Sequence, residues 1–122
     1  MQRFISLLGA GLLALLPTLG AAQEEPARVQ DGRQVDAEGL TLYTYGKDKE
    51  GESNCHEECA NIWPPLIAAE DARPSGKWSL VKRRDGTLQW AYDGKPLYTY
   101  AKDKQPGDTT GDGVGPWKMA KP

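Results

Sequence analysis

Two stretches of this 122-residue chain are copies of one another, and the duplication limits the fold more than any other feature. Residues 34–49 read QVDAEGLTLYTYGKDK and residues 89–104 read QWAYDGKPLYTYAKDK. Nine of the sixteen positions are identical: Gln, Gly, Leu-Tyr-Thr-Tyr and Lys-Asp-Lys. Self-similarity at a fixed offset marks a chain that uses one supersecondary unit repeatedly and buries each unit against its neighbour. The agreement continues weakly outward. Asp31-Gly32 precedes the first copy and Asp85-Gly86 the second, while Trp63 follows Tyr45 by 18 residues and Trp117 follows Tyr100 by 17. The unit is an Asp-Gly turn, a strand, a Gly turn, a Leu-Tyr-Thr-Tyr strand, a polar loop and a Trp.

Period and turn chemistry give the secondary structure. Residues 79–83, 87–92 and 95–101 are β-rich runs separated by Arg84-Asp85-Gly86 and Asp93-Gly94. Asp-Gly between such runs predicts hairpins, because both residues tolerate the positive φ of twist-matched turns. Alternation along a strand puts Leu97 and Thr99 on one face and Tyr98 and Tyr100 on the other, and Leu42, Tyr43, Thr44 and Tyr45 repeat the arrangement. Pro96 cannot donate to a ladder, so it starts its strand or lies at an edge. Helix is confined to a short stretch around residues 57–61. The expected fold is mainly β, with two pseudo-repeated small antiparallel units packed into one domain.

The first residues set the compartment. Arg3 supplies a positive n-region, residues 4–19 are uncharged and apolar, and Pro17 precedes the small residues Gly20 and Ala22. That pattern predicts a signal peptide over 1–22, cleaved before Gln23. The apolar stretch is shorter than the roughly 18–20 residues a membrane span needs. Residues 23–33 read as a polar tail and lead-in, and 34–122 as a single domain whose repeats run about 34–78 and 79–122. Cleavage removes only Arg3 among the charges and shifts the net charge from −2 to −3. A mildly acidic chain offers no basic stripe for nucleic acid. Four Trp and five Tyr must supply much of so small a core.

Cys55-His56-Glu57-Glu58-Cys59 is the most reactive-looking segment, and three readings compete for it. In an oxidising compartment two cysteines pair if geometry allows, which here requires a turn or distorted helix, since a regular i,i+4 helical pair stands too far apart. The alternative is a transition-metal site, copper or zinc, built on Cys55, His56 and Cys59 with Met119 as a further ligand. A single His and two Cys cannot close a Cys/His zinc site without a carboxylate. A thiol redox enzyme is disfavoured because the spacing is not Cys-x-x-Cys. Residues 103–113 place Asp103, Asp108 and Asp112 on a Gly-rich loop, which reads either as a cation site or as ordinary turns. Asp48 and Asp103 are expected to bond backbone N–H groups at strand ends. The matched aromatics Tyr43, Tyr45, Trp63, Tyr98, Tyr100 and Trp117 read as core, or as an exposed row for a sugar, peptide or flat cofactor.

Tyr43-Thr-Tyr45-Gly-Lys-Asp48 and Tyr98-Thr-Tyr100-Ala-Lys-Asp103 both match a Tyr-x-aromatic-x-x-Asp signature. Together with Cys55, Cys59-Ala60, Trp63-Pro64-Pro65-Leu66, Gln89-Trp90 and Pro106-Gly107-Asp108, they make the chain resemble a bacterial family of predicted lipoproteins, or secreted repeats, of unknown function. The resemblance implies a small exported repeat domain and carries no activity with it. The chain departs from the family's name in having no lipid-attachment Cys after its signal. The functional expectation is a periplasmic or secreted, non-catalytic binding or structural module, without cofactor, that meets a small ligand or an envelope protein. The runner-up is an envelope metal- or electron-handling protein using Cys55, His56 and Cys59.

Overall fold

The computed structural model describes residues 25–122; the expected signal peptide and its cleavage point lie outside them. Strand β1 (Arg28–Gln30) pairs with β2 (Arg33–Val35) across Asp31 and Gly32, at φ of 52° and 78°. Both central residues are in the left-handed region, which is the geometry of the two-residue hairpin turn. Asp93 and Gly94, at 53° and 83°, make the same turn between β6 (Leu88–Tyr92) and β7 (Lys95–Pro96). Asp85-Gly86 joins β5 (Trp78–Lys82) to β6 differently: only Gly86 has positive φ, and Asp85 accepts hydrogen bonds from the Thr87 amide and hydroxyl.

Three expectations shift. The lead-in 23–33 contains β1 and a buried Ala27, because the Asp31-Gly32 hairpin carries the chain back onto the domain. The strand over 95–101 stays with β6 through Pro96, on an edge position, and through one further hydrogen bond from the Leu97 amide to Trp90 O. Beyond it, Tyr98 leaves β6 to pair with Tyr43. The helix α1 (Glu58–Ile62) falls one residue later than expected, entered through Glu57 at positive φ. Among the described residues no helix is long and apolar enough to cross a membrane.

The remaining strands are β3 (Tyr43–Tyr45), β4 (Ile67–Ala68) and β8 (Trp117–Met119). One edge of β6 is covered by β5, and the other is shared by β4 and β7. β3 pairs antiparallel with β8. The Leu-Tyr-Thr-Tyr segments run between two cores, and their alternation divides the side chains as the sequence predicts. Leu42 and Leu97 join Trp78, Trp90 and small alanines in one cluster, while Tyr43, Tyr98 and Tyr100 join Trp63, Trp117 and Cys55 in the other. Each segment is apolar on both faces because it is covered on both.

Candidate functional site

The repeats meet at a seam where each half completes the other. At its centre Tyr43 and Tyr98 exchange backbone hydrogen bonds, N–H to O, at 2.7 and 3.0 Å. A reciprocal antiparallel pair has local twofold symmetry, so a pseudo-twofold axis passes between these residues. On one side β8 of the second repeat pairs with β3 of the first. On the other Pro65 of the first repeat bridges Tyr98 of the second.

The side chains follow the same exchange. The Tyr43 hydroxyl donates to Asp103 Oδ2 at 2.7 Å, and the Tyr98 hydroxyl donates to Asp48 Oδ2 at 2.7 Å. Each tyrosine therefore reaches the aspartate of the opposite copy. The remaining carboxylate oxygens do what the sequence suggests: Asp48 Oδ1 accepts from the Asn54 amide and Asp103 Oδ1 from the Thr110 amide. Burial pushes both phenols well above the ordinary tyrosine range, and hydrogen bonding to a carboxylate adds to the effect. Burial also raises the Asp48 carboxyl, outweighing the bonds and the nearby Arg83 charge that lower it. Arg83, itself buried, donates to Ser53 Oγ, Gln89 Oε1 and the Cys55 carbonyl at 2.7–3.0 Å.

Four rings stack through the seam in the order Tyr45, Trp117, Trp63, Tyr100. Their centroids are 4.2, 3.9 and 4.0 Å apart and their interplanar angles 15°, 3° and 21°. Tyr45 stacks on the second repeat's Trp and Tyr100 on the first repeat's Trp, and the axis falls between the two indoles. Tyr43 and Tyr98 meet Trp63 and Trp117 edge-on. The matched aromatics are thus core, with Tyr45 half-buried at one end of the column. Gly111 permits the column, since a Cβ there would come within 2.8 Å of Trp63 and 3.0 Å of Tyr100.

Cys55 and Cys59 are joined as a disulfide, with Cα atoms 5.2 Å apart, the separation such a bridge requires. With the two sulfurs bonded to each other neither is a thiolate, so the metal alternative is not favoured. His56 Nε2 lies 2.9 Å from the Ser53 carbonyl, and Met119 packs against the aromatic cluster. The three loop aspartates serve separate turns. Asp103 holds Tyr43 and Thr110, Asp108 accepts from the Lys104 and Gln105 amides, and Asp112 accepts from the Met119 amide. Among the described residues no three His, Cys, Asp or Glu side chains converge to hold a metal ion.

The gapless alignment of the copies hides a slip of one residue. The Gln34 amide donates to Ala120 O as the Trp90 amide donates to Leu66 O, and Leu42 donates to Gln34 O as Leu97 donates to Trp90 O. Likewise Val35 bridges Thr41 as Ala91 pairs with Pro96. Gln34 therefore corresponds to Trp90 in the fold, and Gln89 to Arg33. The extra residue lies in the first repeat's turn, where Asp36 Oδ1 accepts from the amides of Glu38 and Leu40. Trp90 packs edge-on to Trp78 with centroids 6.0 Å apart. Gln34 instead lines two clefts, of about 590 and 320 Å³, whose linings share Gln34, Tyr92 and Pro122. Gln34 is buried, and its Oε1 has no hydrogen-bond partner among the described residues. Sequence reasoning missed this site because Gln34 and Gln89 look like a conserved pair of repeat positions.

No curated protein and no solved structure gives a significant match to the chain. A family model described as a secreted repeat of unknown function matches residues 27–67 and again residues 79–121, one match for each half of the seam. The chain belongs to that family of secreted repeats, and its place is outside the cytoplasm, in the periplasm or beyond it.

Proposed function

We propose that the protein is a non-catalytic binding module, exported by a cleaved signal peptide over 1–22 and released without a lipid anchor, that holds a small ligand in the clefts around Gln34. The observation that carries this reading is where the reactive-looking groups are spent. Tyr43, Tyr98, Asp48, Asp103, Cys55 and Cys59 are all engaged with one another or with backbone amides inside the domain. The clefts around Gln34, which none of those residues lines, are within the size range of ligand sites. The seam then acts as a rigid frame, and rigidity in the free protein lowers the ordering cost of binding.

The test exposes purified mature protein to a small-molecule extract of the envelope fraction, followed by native mass spectrometry and release of what is bound. A ligand recovered with its mass unchanged supports a binding module. A bound species recovered chemically altered would mean catalysis and overturn the reading. The processing part is checked separately: the soluble extracytoplasmic form should begin at Gln23, and full-length chain retained in washed membranes would contradict it.

A further inference from the structure

The repeats differ most at the position shared by Gln34 and Trp90. In the second repeat an indole fills that position and is almost wholly buried. In the first, a shorter amide stands at the junction of two clefts. Gln34 is 3% exposed, and its Oε1 lacks the partner that buried polar atoms ordinarily have. Oε1 is an acceptor awaiting one more hydrogen bond. The larger cleft is walled by Trp78 and Tyr92, whose rings meet at 4.9 Å and 61°. The smaller is lined by Lys77, Lys95, Lys118 and Lys121, with Asp93 the acidic residue among its lining. Lys77 Nζ stands 5.9 Å from the centre of the Tyr92 ring, so cationic and aromatic surface are continuous.

We infer that this junction binds a small planar aromatic anion bearing an N–H group. The ring enters the larger cleft, beside the position that an indole fills in the other repeat, and lies against Trp78 and Tyr92. The N–H donates to Gln34 Oε1, which is closed to solvent in the free protein and reaches the cleft by rotation of the side-chain amide, and the anionic arm reaches the lysines. The three demands come from three separate features: the missing ring, the unpartnered acceptor and the cationic lining. This inference rests on the binding reading above and specifies its ligand class.

The probe is indole-3-acetate, titrated into mature protein and followed by two-dimensional ¹⁵N–¹H NMR at the Trp78 indole and the Gln34 side-chain amide. Saturable shifts at both groups are expected. Masking the donor as 1-methylindole-3-acetate should weaken binding about tenfold, the worth of one hydrogen bond in a desolvated site. Gln34→Leu keeps the side chain's size without its acceptor and should erase the difference between the two probes. Gln34→Trp should occupy the cleft itself and abolish binding of both. Lys118→Gln with Lys121→Gln, on exposed or rim positions, should weaken indole-3-acetate while leaving neutral indole unchanged. Absence of shifts at Trp78 up to millimolar probe, or equal affinity for the two probes in the parent protein, overturns the inference. If an envelope-extract ligand still binds in that case, the general binding reading survives and only its ligand class is wrong. If neither binds, both are wrong.

Discussion

The two copies are nearly identical where they touch and unlike where they do not. Tyr43, Tyr45 and Asp48 match Tyr98, Tyr100 and Asp103 because each set contacts the opposite copy, so a change in one would have to be answered in the other. Away from the seam that reciprocity lapses. The loop after Asp48 is closed by a disulfide, while its counterpart after Asp103 carries Gly111 where the first repeat has Cys55. One strand carries Trp90 and the other Gln34. The difference teaches that the family signature describes an internal contact, and that the variable positions around it are free to hold something else.

The comparison is broken most severely at the column's centre. Trp63→Ala and Trp117→Ala should each cost about 3–5 kcal/mol in chemical denaturation, with the two values close because both indoles lie beside the axis. A large asymmetry would mean that one half holds the seam alone. Next come the phenols. Tyr43→Phe and Tyr98→Phe each remove a donor from a carboxylate and should cost about 1.5–3 kcal/mol. Asp103 is the more buried of the two acceptors, so Tyr43→Phe should be the worse. A double variant, Tyr43→Phe with Asp103→Asn, whose loss equals the sum of the two single losses would show that the bond itself contributes little.

The disulfide sharpens the contrast between the two loops. Replacing Cys55 and Cys59 together by Ser should lower stability by about 2 kcal/mol, the loop-entropy value for so short a ring. Thiol titration of unreduced, unfolded protein should find no free cysteine. The smallest effect per step is that of pH. Both phenols are raised in the folded protein, whereas unfolded tyrosines ionise near about 10. The folded state then holds its protons longer. Stability is fully present below about pH 10 and is lost as pH rises beyond it, by up to about 1.4 kcal/mol per pH unit for each tyrosine. Melting of Tyr43→Phe across that range should show a shallower alkaline loss. An unchanged slope would count against a buried, proton-holding phenol at that position.

Much of this was legible in the sequence because it is local. Asp-Gly turns, the Leu/Tyr alternation, the short helix and the pairing of two cysteines in an exported chain depend on neighbours within a few residues. The exchange across the seam was not legible. A Tyr and an Asp five positions apart suggest a contact within one copy, and repetition alone cannot say whether Tyr43 meets Asp48 or Asp103. The slip at Gln34 was concealed for a related reason. Gly39 and Gly94 align without a gap, yet one ends a loop braced by Asp36 and the other completes a two-residue turn. Sequence identity recorded the letters and missed the register.

The crossed pairing of the two halves also bears on ancestry. A forebear with a single copy could have satisfied its tyrosine, its aspartate and its outer strand only by docking with a second molecule, at an affinity set by how many were present. Duplication within one gene made that meeting intramolecular, where a short tether supplies an effective concentration on the order of millimolar. With the partner always at hand the halves need not be interchangeable, and one carries an amide where the other carries an indole.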